Sequence, residues 1–249
     1  MRKIAIALSK GGVGKTTTAV NLAAGLALAG QHVLLIDVDT QGQAAKALGL
    51  APPAGLAELT TGEADPGKAV VSARANLDLL AGGRGLASLK RLITRKDFGG
   101  EQTLAEALAP LEGRYDFAVL DTAPGWDALS VNALFYADEV LSPVSLEVMT
   151  LQSLLDFTQS LAAIQRYHPE LALRYVLPTF LDRRVRKSDE ILTQLGSHYG
   201  SQVCAPIRYN VRLSEAPGYG LTVFEYAPHS PGADDYRALA ERILRDERT

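Results

Sequence analysis

Short apolar runs alternate along this chain with longer segments whose hydrophobic residues recur at helical spacing. Polar residues, glycine or proline bound each run, and the runs cover residues 4–8, 33–36, 77–80, 117–120, 139–144 and 173–177. Runs that are apolar throughout are typical of strands buried on both faces, as in a parallel sheet between helices. The pattern therefore predicts an α/β fold, a doubly wound and mainly parallel sheet with helices on both faces.

The helical segments lie between and after these runs. We expect helices over residues 15–29, 43–48, 128–136, 151–168, 188–199 and 234–245. The stretch 52–67 is rich in glycine, proline and small residues, which favours a loop or short helices. No linker rich in serine, glycine and proline divides the chain, so we expect one domain over residues 1–249.

The composition narrows the class of protein. Hydrophobic residues make up 47% and charged residues 21% of the chain, which excludes disordered and fibrous classes. A net charge of -3 argues against a protein coated in basic charge, although a local basic patch stays open. The single cysteine, Cys204, excludes an intrachain disulfide and a CxxC metal or cluster site. The apolar run 4–8 is too short for a signal peptide, so we expect a cytoplasmic protein without a membrane span.

A glycine-rich turn connects the first apolar run to the first helix. Ligands of such sheets bind at the carboxyl ends of the strands, and a helix N-terminus after a glycine-rich turn cradles phosphate. Lys15 would reach the β and γ phosphates and the Thr16 hydroxyl would hold Mg²⁺. The predicted ATP-binding segment comprises Lys10, Gly11, Gly12, Val13, Gly14, Lys15, Thr16 and Thr17. The alternative is a turn that only joins a strand to a helix.

The turn departs from the usual phosphate-loop pattern at two positions. Ser9 stands where the pattern has glycine, and a second lysine follows it at Lys10. Lys10 is either a surface lysine that balances phosphate charge or a residue that reaches the nucleotide of a second subunit. The spacing leaves both interpretations open.

Three aspartates follow apolar runs. Asp121 ends the run 117–120, where a carboxylate that binds Mg²⁺ directly or through water is expected. Asp37 and Asp39 follow the run 33–36 and could orient the attacking water or join the metal shell. The structural alternatives are a strand-end cap at Asp121 and an Asx-turn before the helix at 43–48.

Five segments resemble the ParA/Soj branch of the deviant Walker A ATPases, a group that includes MinD. The most specific are KGGVGKTTTAVNLA (residues 10–23) and NVRLSEAPGYGLTVFEY (210–226). The others are VLLIDVDTQGQA (33–44), YDFAVLDTAPGWDALSVNAL (115–134) and ADEVLSPVSLEVMTLQSL (137–154), so the resemblance extends over nearly the whole chain.

This resemblance implies roles for individual residues. Lys10 would contact ATP across a nucleotide-sandwich dimer, with Gly11 at the interface. Lys15 would bind phosphate, Asp39 would support the attack of water, and Lys10, Lys15 and Asp39 would form the catalytic set. Thr16, Asp39 and Asp121 would hold Mg²⁺. The base would lie near Pro178, Thr179, Phe180, Pro206 and Arg208.

Several positions differ from the family pattern. Thr40 replaces a common proline, Gln43 a frequent asparagine, and Ala123 with Gly125-Trp126 replaces a proline-rich turn. None is a phosphate ligand, so ATP binding is still expected, whereas the turn after Asp121 could change the hydrolysis rate or the response to a partner. No helix-turn-helix extension precedes the domain, so an operator-binding role is not expected.

A basic run precedes the helix expected at 188–199. We expect it to bind double-stranded DNA through phosphates without reading bases, because no aromatic residues interleave with the charges. The candidate residues are Arg183, Arg184, Arg186, Lys187, Arg208 and Arg212. The alternative is a solvated helix start.

The last predicted helix bears on whether the protein binds DNA or a membrane. Tyr236, Leu239, Ala240, Ile243 and Leu244 recur at helical spacing, which is compatible with core packing or with a membrane-seeking face as in MinD. Acidic residues on its polar side disfavour an anionic bilayer.

The resemblance therefore predicts a weak ATPase switch located on the nucleoid. ATP would form a homodimer that binds DNA, and a ParB-like protein would stimulate hydrolysis and release. The alternatives are a MinD-like membrane-bound regulator and a metabolic or metallocluster ATPase, and the lack of paired cysteines counts against a cluster.

Overall fold

The computed structural model describes residues 1–182, 184 and 186–246 of the chain. Its seven-stranded sheet has the order β3-β4-β2-β5-β1-β6-β7. The strands are β1 (Arg2–Ile6), β2 (Val33–Asp37), β3 (Val70–Arg74), β4 (Leu77–Leu80), β5 (Phe117–Asp121), β6 (Glu139–Ser145) and β7 (Ala172–Thr179). All neighbouring strands are parallel except the antiparallel edge pair β3 and β4. The predicted fold class is confirmed.

Helices connect the strands and follow the last of them. They are α1 (Lys15–Leu28), α2 (Gln43–Ala47), α3 (Leu56–Thr61), α4 (Pro66–Ala69), α5 (Leu86–Thr94), α6 (Thr103–Leu108), α7 (Ala128–Tyr136), α8 (Val148–Gln165), α9 (Arg186–Tyr199), α10 (Val211–Glu215), α11 (Val223–Tyr226) and α12 (Pro231–Arg245). Short 3₁₀ turns occupy Gly100–Gln102, Ala109–Leu111, Gly200–Gln202 and Ala216–Tyr219.

The sheet separates two hydrophobic cores because side chains alternate along each strand. Leu34, Ile36 and Leu120 point into the core that α5 to α9 cover. Ile4 and Leu35 point into the core beneath α1, α2 and α12. Both faces are therefore packed, which explains why the central strands are apolar throughout.

Three features of the predicted element pattern were wrong. Strand β3 was not expected, since this half-buried edge strand carries polar residues such as Ser72 and Arg74. The pattern also missed α5 and α6, which are short. The first strand covers Arg2–Ile6 rather than 4–8, because Ala7 and Leu8 already lead into the glycine-rich turn.

The apolar face of α12 lies in the core. Tyr236, Leu239, Ala240 and Ile243 are at most 4% exposed. Helix α12 packs on α1, and the Tyr236 hydroxyl lies 3.1 Å from the Thr18 hydroxyl. This face is therefore covered by protein, as the core-packing alternative expected. Within the described residues, no helix has the length and apolarity needed to cross a membrane.

Candidate functional site

The glycine-rich turn places the start of α1 at the carboxyl end of the sheet. Gly12 and Gly14 have φ values of 75° and 90°, in the left-handed region that a glycine adopts without strain. Gly14 is the N-cap of α1 and offers no side-chain cap. The first N–H groups of this helix can therefore bind an external anion such as a phosphate.

Lys15 is held inside this turn. Its ammonium donates hydrogen bonds to the carbonyl oxygens of Leu8 (3.1 Å) and Lys10 (2.8 Å). Burial lowers the pKa of Lys15, and the carboxylates of Asp121 and Asp39 oppose that shift. A buried ammonium with only neutral acceptors is suited to exchange them for a phosphate.

Lys10 contacts the start of α8. Its ammonium lies 3.0 Å from a carboxylate oxygen of Glu147 and donates to the Thr150 hydroxyl at 2.7 Å. Thr150 in turn lies 2.7 Å from the Ser145 hydroxyl at the end of β6. The Glu147 side chain is 69% exposed, so the ion pair is open to competition by another anion. No sequence pattern indicated this contact.

Asp37 and Asp39 have different surroundings. The Asp37 carboxylate is fully buried and accepts hydrogen bonds from the N–H groups of Asp39 (2.9 Å) and Ala44 (3.0 Å). Burial raises the pKa of Asp37 to about 6, and its two N–H donors limit the rise. Asp37 therefore closes the turn before α2, as the structural alternative expected. Asp39 is only partly buried, and its carboxylate accepts from the N–H of Gln41 at 3.0 Å.

Asp121 is the most unusual carboxylate of the site. It is fully buried, and neither oxygen has a hydrogen-bond partner among the described residues. Burial and the negative charge of Asp37 raise its pKa well above the ordinary value, while Thr16 and Lys15 oppose the shift. A buried carboxyl without partners is destabilising, and a divalent cation would supply the missing ligand interactions. Thr16 and Asp121 thus fit a Mg²⁺ site at the phosphate turn.

A cavity of about 140 Å³ lies beside the phosphate turn and is lined in part by Gly14. Three of the five residues expected near the base line it, namely Thr179, Phe180 and Arg208, whereas Pro178 and Pro206 do not. The Thr179 hydroxyl donates to the carbonyl of Val13 at 3.0 Å and so fixes β7 to the phosphate turn. Sequence reasoning missed other lining residues, which are Ile207, Tyr209, Asn210, Leu213, Ser214 and Tyr236.

The candidate DNA-binding arginines are paired with carboxylates of the same chain. Arg184 lies 2.7 Å from Asp182, Arg208 lies 2.7 Å from Asp235, and Arg212 lies 2.8 Å from Glu215. Arg183 lies outside the described residues, as do the side chains of Arg186 and Lys187. The three described arginines thus contribute little net positive charge to the surface.

Known proteins are similar in sequence to most or all of this chain. A family model described as an AAA domain matches residues 1–173. The chromosome-partitioning ATPase Soj of Thermus thermophilus is 39% identical over 98% of this chain and 96% of its own. The chromosome partitioning protein ParA of Caulobacter vibrioides is 34% identical over 100% of this chain and 96% of its own.

Solved structures share the fold. The cobyrinic acid a,c-diamide synthase of Mycobacterium smegmatis with bound ADP and magnesium has a TM-score of 0.84 at 31% identity, covering 98% of this chain and 94% of its own. The septum site-determining protein MinD of Pyrococcus horikoshii complexed with Mg-ADP has a TM-score of 0.80 at 22% identity, covering 98% and 96%. The second likeness concerns the fold alone.

Proposed function

Because the chain belongs to the ParA/Soj family of chromosome-partitioning ATPases, we propose that it is a nucleotide-dependent switch on DNA. ATP joins two copies through the face that carries Lys10, and the dimer binds double-stranded DNA without reading its bases. A ParB-like partner stimulates hydrolysis, which returns the protein to the monomer. The protein would then act in the cytoplasm on the nucleoid.

The unpartnered Asp121 carboxylate beside the phosphate turn carries this proposal. The chain is an ATPase that uses ATP and Mg²⁺. The first N–H groups of α1 and the Lys15 ammonium would bind the phosphates, and Thr16 and Asp121 would hold Mg²⁺, which neutralises phosphate charge when bound. Asp39 lies on the same edge of the sheet, where its partly exposed carboxylate would orient the attacking water.

Dimer formation would use Lys10. In the monomer its ammonium is bound by Glu147 and Thr150, and both contacts are side-chain contacts at the start of α8. A triphosphate carries more negative charge than one exposed carboxylate, so the nucleotide of a second copy would compete for this ammonium. ATP can favour the dimer only through such interactions that the monomer lacks.

DNA binding would depend on charge. The basic run at 183–187 leads into α9, which begins at Arg186, and Arg212 lies in the segment 210–226 that resembles partition ATPases. Contacts between arginines and phosphates release counterions, so the affinity should fall steeply with salt. The acidic partners of Arg184 and Arg212 would have to be displaced, which costs little for exposed ion pairs.

The membrane-bound alternative is less well supported, because the apolar face of α12 is buried against α1. Cosedimentation tests both functions. Wild type and Lys15→Ala are mixed with random-sequence duplex DNA or with anionic liposomes, each with ATP, ADP or no nucleotide. We expect wild type to bind DNA only with ATP and Lys15→Ala not to bind. DNA binding that ignores ATP, or binding to liposomes alone, would contradict the proposal.

A further inference from the structure

A second basic surface lies on α5, far in sequence from the candidate DNA-binding residues. Residues 84–96 contain five lysines and arginines and no aspartate or glutamate, in a chain that has 25 basic and 28 acidic residues. Two of these charges are neutralised, since Lys90 lies 2.9 Å from Asp127 and Lys96 lies 3.9 Å from Glu106. Three arginines are left.

We call these three residues the arginine stripe: Arg84 lies in the turn before α5, Arg91 within the helix and Arg95 at its C-cap. Their spacing of seven and four residues is that of one side of an α-helix. The turn before the helix includes Arg84, because its carbonyl accepts the N–H of Ala87 at 3.1 Å. The opposite side, with Leu86, Leu89 and Ile93, is at most 5% exposed and packs in the core.

The stripe is exposed and has no carboxylate partner. All three arginines are exposed, and none forms a salt bridge within the described part of the chain. Arg91 donates a hydrogen bond to the Ser88 hydroxyl at 2.9 Å. The nearby acidic residues Asp97 and Glu101 line a groove beside Trp126 instead. Arg184, Arg208 and Arg212, by contrast, are each paired.

We propose that the arginine stripe binds the phosphate backbone of double-stranded DNA and forms a second part of the DNA-binding surface. This inference rests on the proposed function. Arg91 and Arg95 are four residues apart, about 6 Å at the rise of an α-helix, and Arg84 lies before the other end of α5. One DNA strand carries a phosphate about every 3.4 Å of axis, so each arginine can meet a phosphate.

The start of α5 is joined to the nucleotide site. The N–H of Gly83 donates to the carbonyl of Asp39 at 3.0 Å. A Cβ atom at Gly82 would lie 2.6 Å from the same carbonyl, so the two loops are in close contact. A movement of the Asp39 loop on nucleotide exchange would therefore shift the first turn of α5 and the position of Arg84.

The test compares the double variant Arg91→Gln/Arg95→Gln with the matched control Arg114→Gln/Arg166→Gln. The control changes net charge equally at two exposed arginines outside the stripe, which precede β5 and β7 in the chain. Glutamine retains helix propensity, so we expect wild-type thermal unfolding in both. The measurement is fluorescence anisotropy with a random-sequence duplex and ATP over a range of salt concentrations.

Loss of two phosphate contacts should make the negative slope of log K against log salt less steep by about 1.8. The affinity at about 0.1 M salt should fall by about 60-fold. The control should match wild type. If wild type, control and stripe variant all bind DNA with the same salt dependence, the proposal that the stripe binds DNA is overturned, while the proposed function stands. That result would point to an acidic protein partner. If wild type does not bind DNA with ATP, both are overturned.

Discussion

Asp37 and Asp121 lie directly opposite each other on the adjacent parallel strands β2 and β5, and both side chains are fully buried. Among the residues that the structure describes, only Asp37 has hydrogen-bond donors for its carboxylate. The two carboxylates therefore have different roles at the carboxyl end of the sheet. Asp37 stabilises the turn before α2, and Asp121 is free to bind a cation.

Replacing Asp121 by asparagine should stabilise the protein without nucleotide and abolish its ATPase activity. The variant removes a carboxyl whose charged form is disfavoured by burial and by the negative charge of Asp37, which we expect to raise the unfolding free energy at neutral pH by about 2 kcal/mol. For a chain of this size the melting temperature should rise by about 4–8 °C. Calorimetry with EDTA measures the first effect, and phosphate release measures the second.

The exposed Asp156→Asn on α8 is the control for that experiment and should behave as wild type. A nucleotide-free Asp121→Asn protein that is less stable than wild type would show that this carboxyl has a stabilising partner after all.

Asp127 should make the stability of the protein depend on pH. Its carboxylate is the N-cap of α7, accepts the N–H of Ser130 at 2.9 Å and pairs with Lys90. Burial works to raise the pKa of Asp127, but the bonds from Ser130 and Lys90 prevail and lower it. A depressed pKa in the folded state stabilises the protein above the ordinary pKa near 3.8, and this contribution is lost as the pH falls through the lowered value.

Urea unfolding at a series of pH values checks this assignment. Asp127→Asn keeps a capping oxygen and should lose part of the pH dependence below about pH 4. Asp127→Ala removes the cap as well and should cost about 1 kcal/mol at neutral pH. Identical pH profiles for wild type and both variants would contradict this role.

Glu147→Gln should favour the ATP-dependent dimer if Lys10 reaches the nucleotide of a second copy. The substitution weakens the ion pair that holds Lys10 in the monomer, and an exposed pair of this kind is worth less than about 1 kcal/mol. We therefore expect the dimer dissociation constant to fall by a few-fold, no more, in sedimentation equilibrium with ATP.

Two further variants serve as controls for the effect of Glu147→Gln on dimerisation. Glu170→Gln changes a glutamate of similar exposure, 72%, that pairs with His168 and should leave dimerisation unchanged. Lys10→Ala should abolish the dimer. Weaker dimerisation of Glu147→Gln would indicate that Glu147 belongs to the interface itself.

Gly82→Ala should impair both folding and hydrolysis. The added methyl group would lie 2.6 Å from the carbonyl of Asp39 and 2.7 Å from that of Asp37, closer than real contacts allow. Relief of such overpacking typically costs about 1–3 kcal/mol and would displace the Asp39 loop. Gly196→Ala in α9 meets nothing within 4 Å and should be neutral or stabilising. Wild-type turnover in Gly82→Ala would show that Asp39 tolerates this shift.

The parts of the fold that could be predicted from sequence are those encoded locally. Apolar runs in the sequence predicted the buried central strands, and glycines followed by Lys15 and Thr16 predicted the phosphate turn. Strand β3 escaped because an edge strand is half solvated and its alternation is weak. Helix α5 could have been found, because Leu86, Leu89 and Ile93 recur at helical spacing.

Contacts that close the site were beyond local patterns. The bond from Lys10 to Glu147 joins residues 137 positions apart, and no local sequence pattern around either residue predicts it. The pairing of Arg208 with Asp235 likewise depends on how α12 packs. The sequence predicted that Arg208 lies near the base and contacts DNA, and it did not indicate that tertiary packing pairs this arginine with Asp235.

The cavity beside Gly14 is built from both ends of the polypeptide. Its walls include Gly14 and Thr17 near the N-terminus and Tyr236 on the last helix, while Asp235 holds the lining residue Arg208 in place. During synthesis the phosphate turn emerges from the ribosome well before Arg208 and α12. A nascent or truncated chain that lacks α12 therefore has the phosphate turn but not the wall of this cavity that Tyr236 supplies.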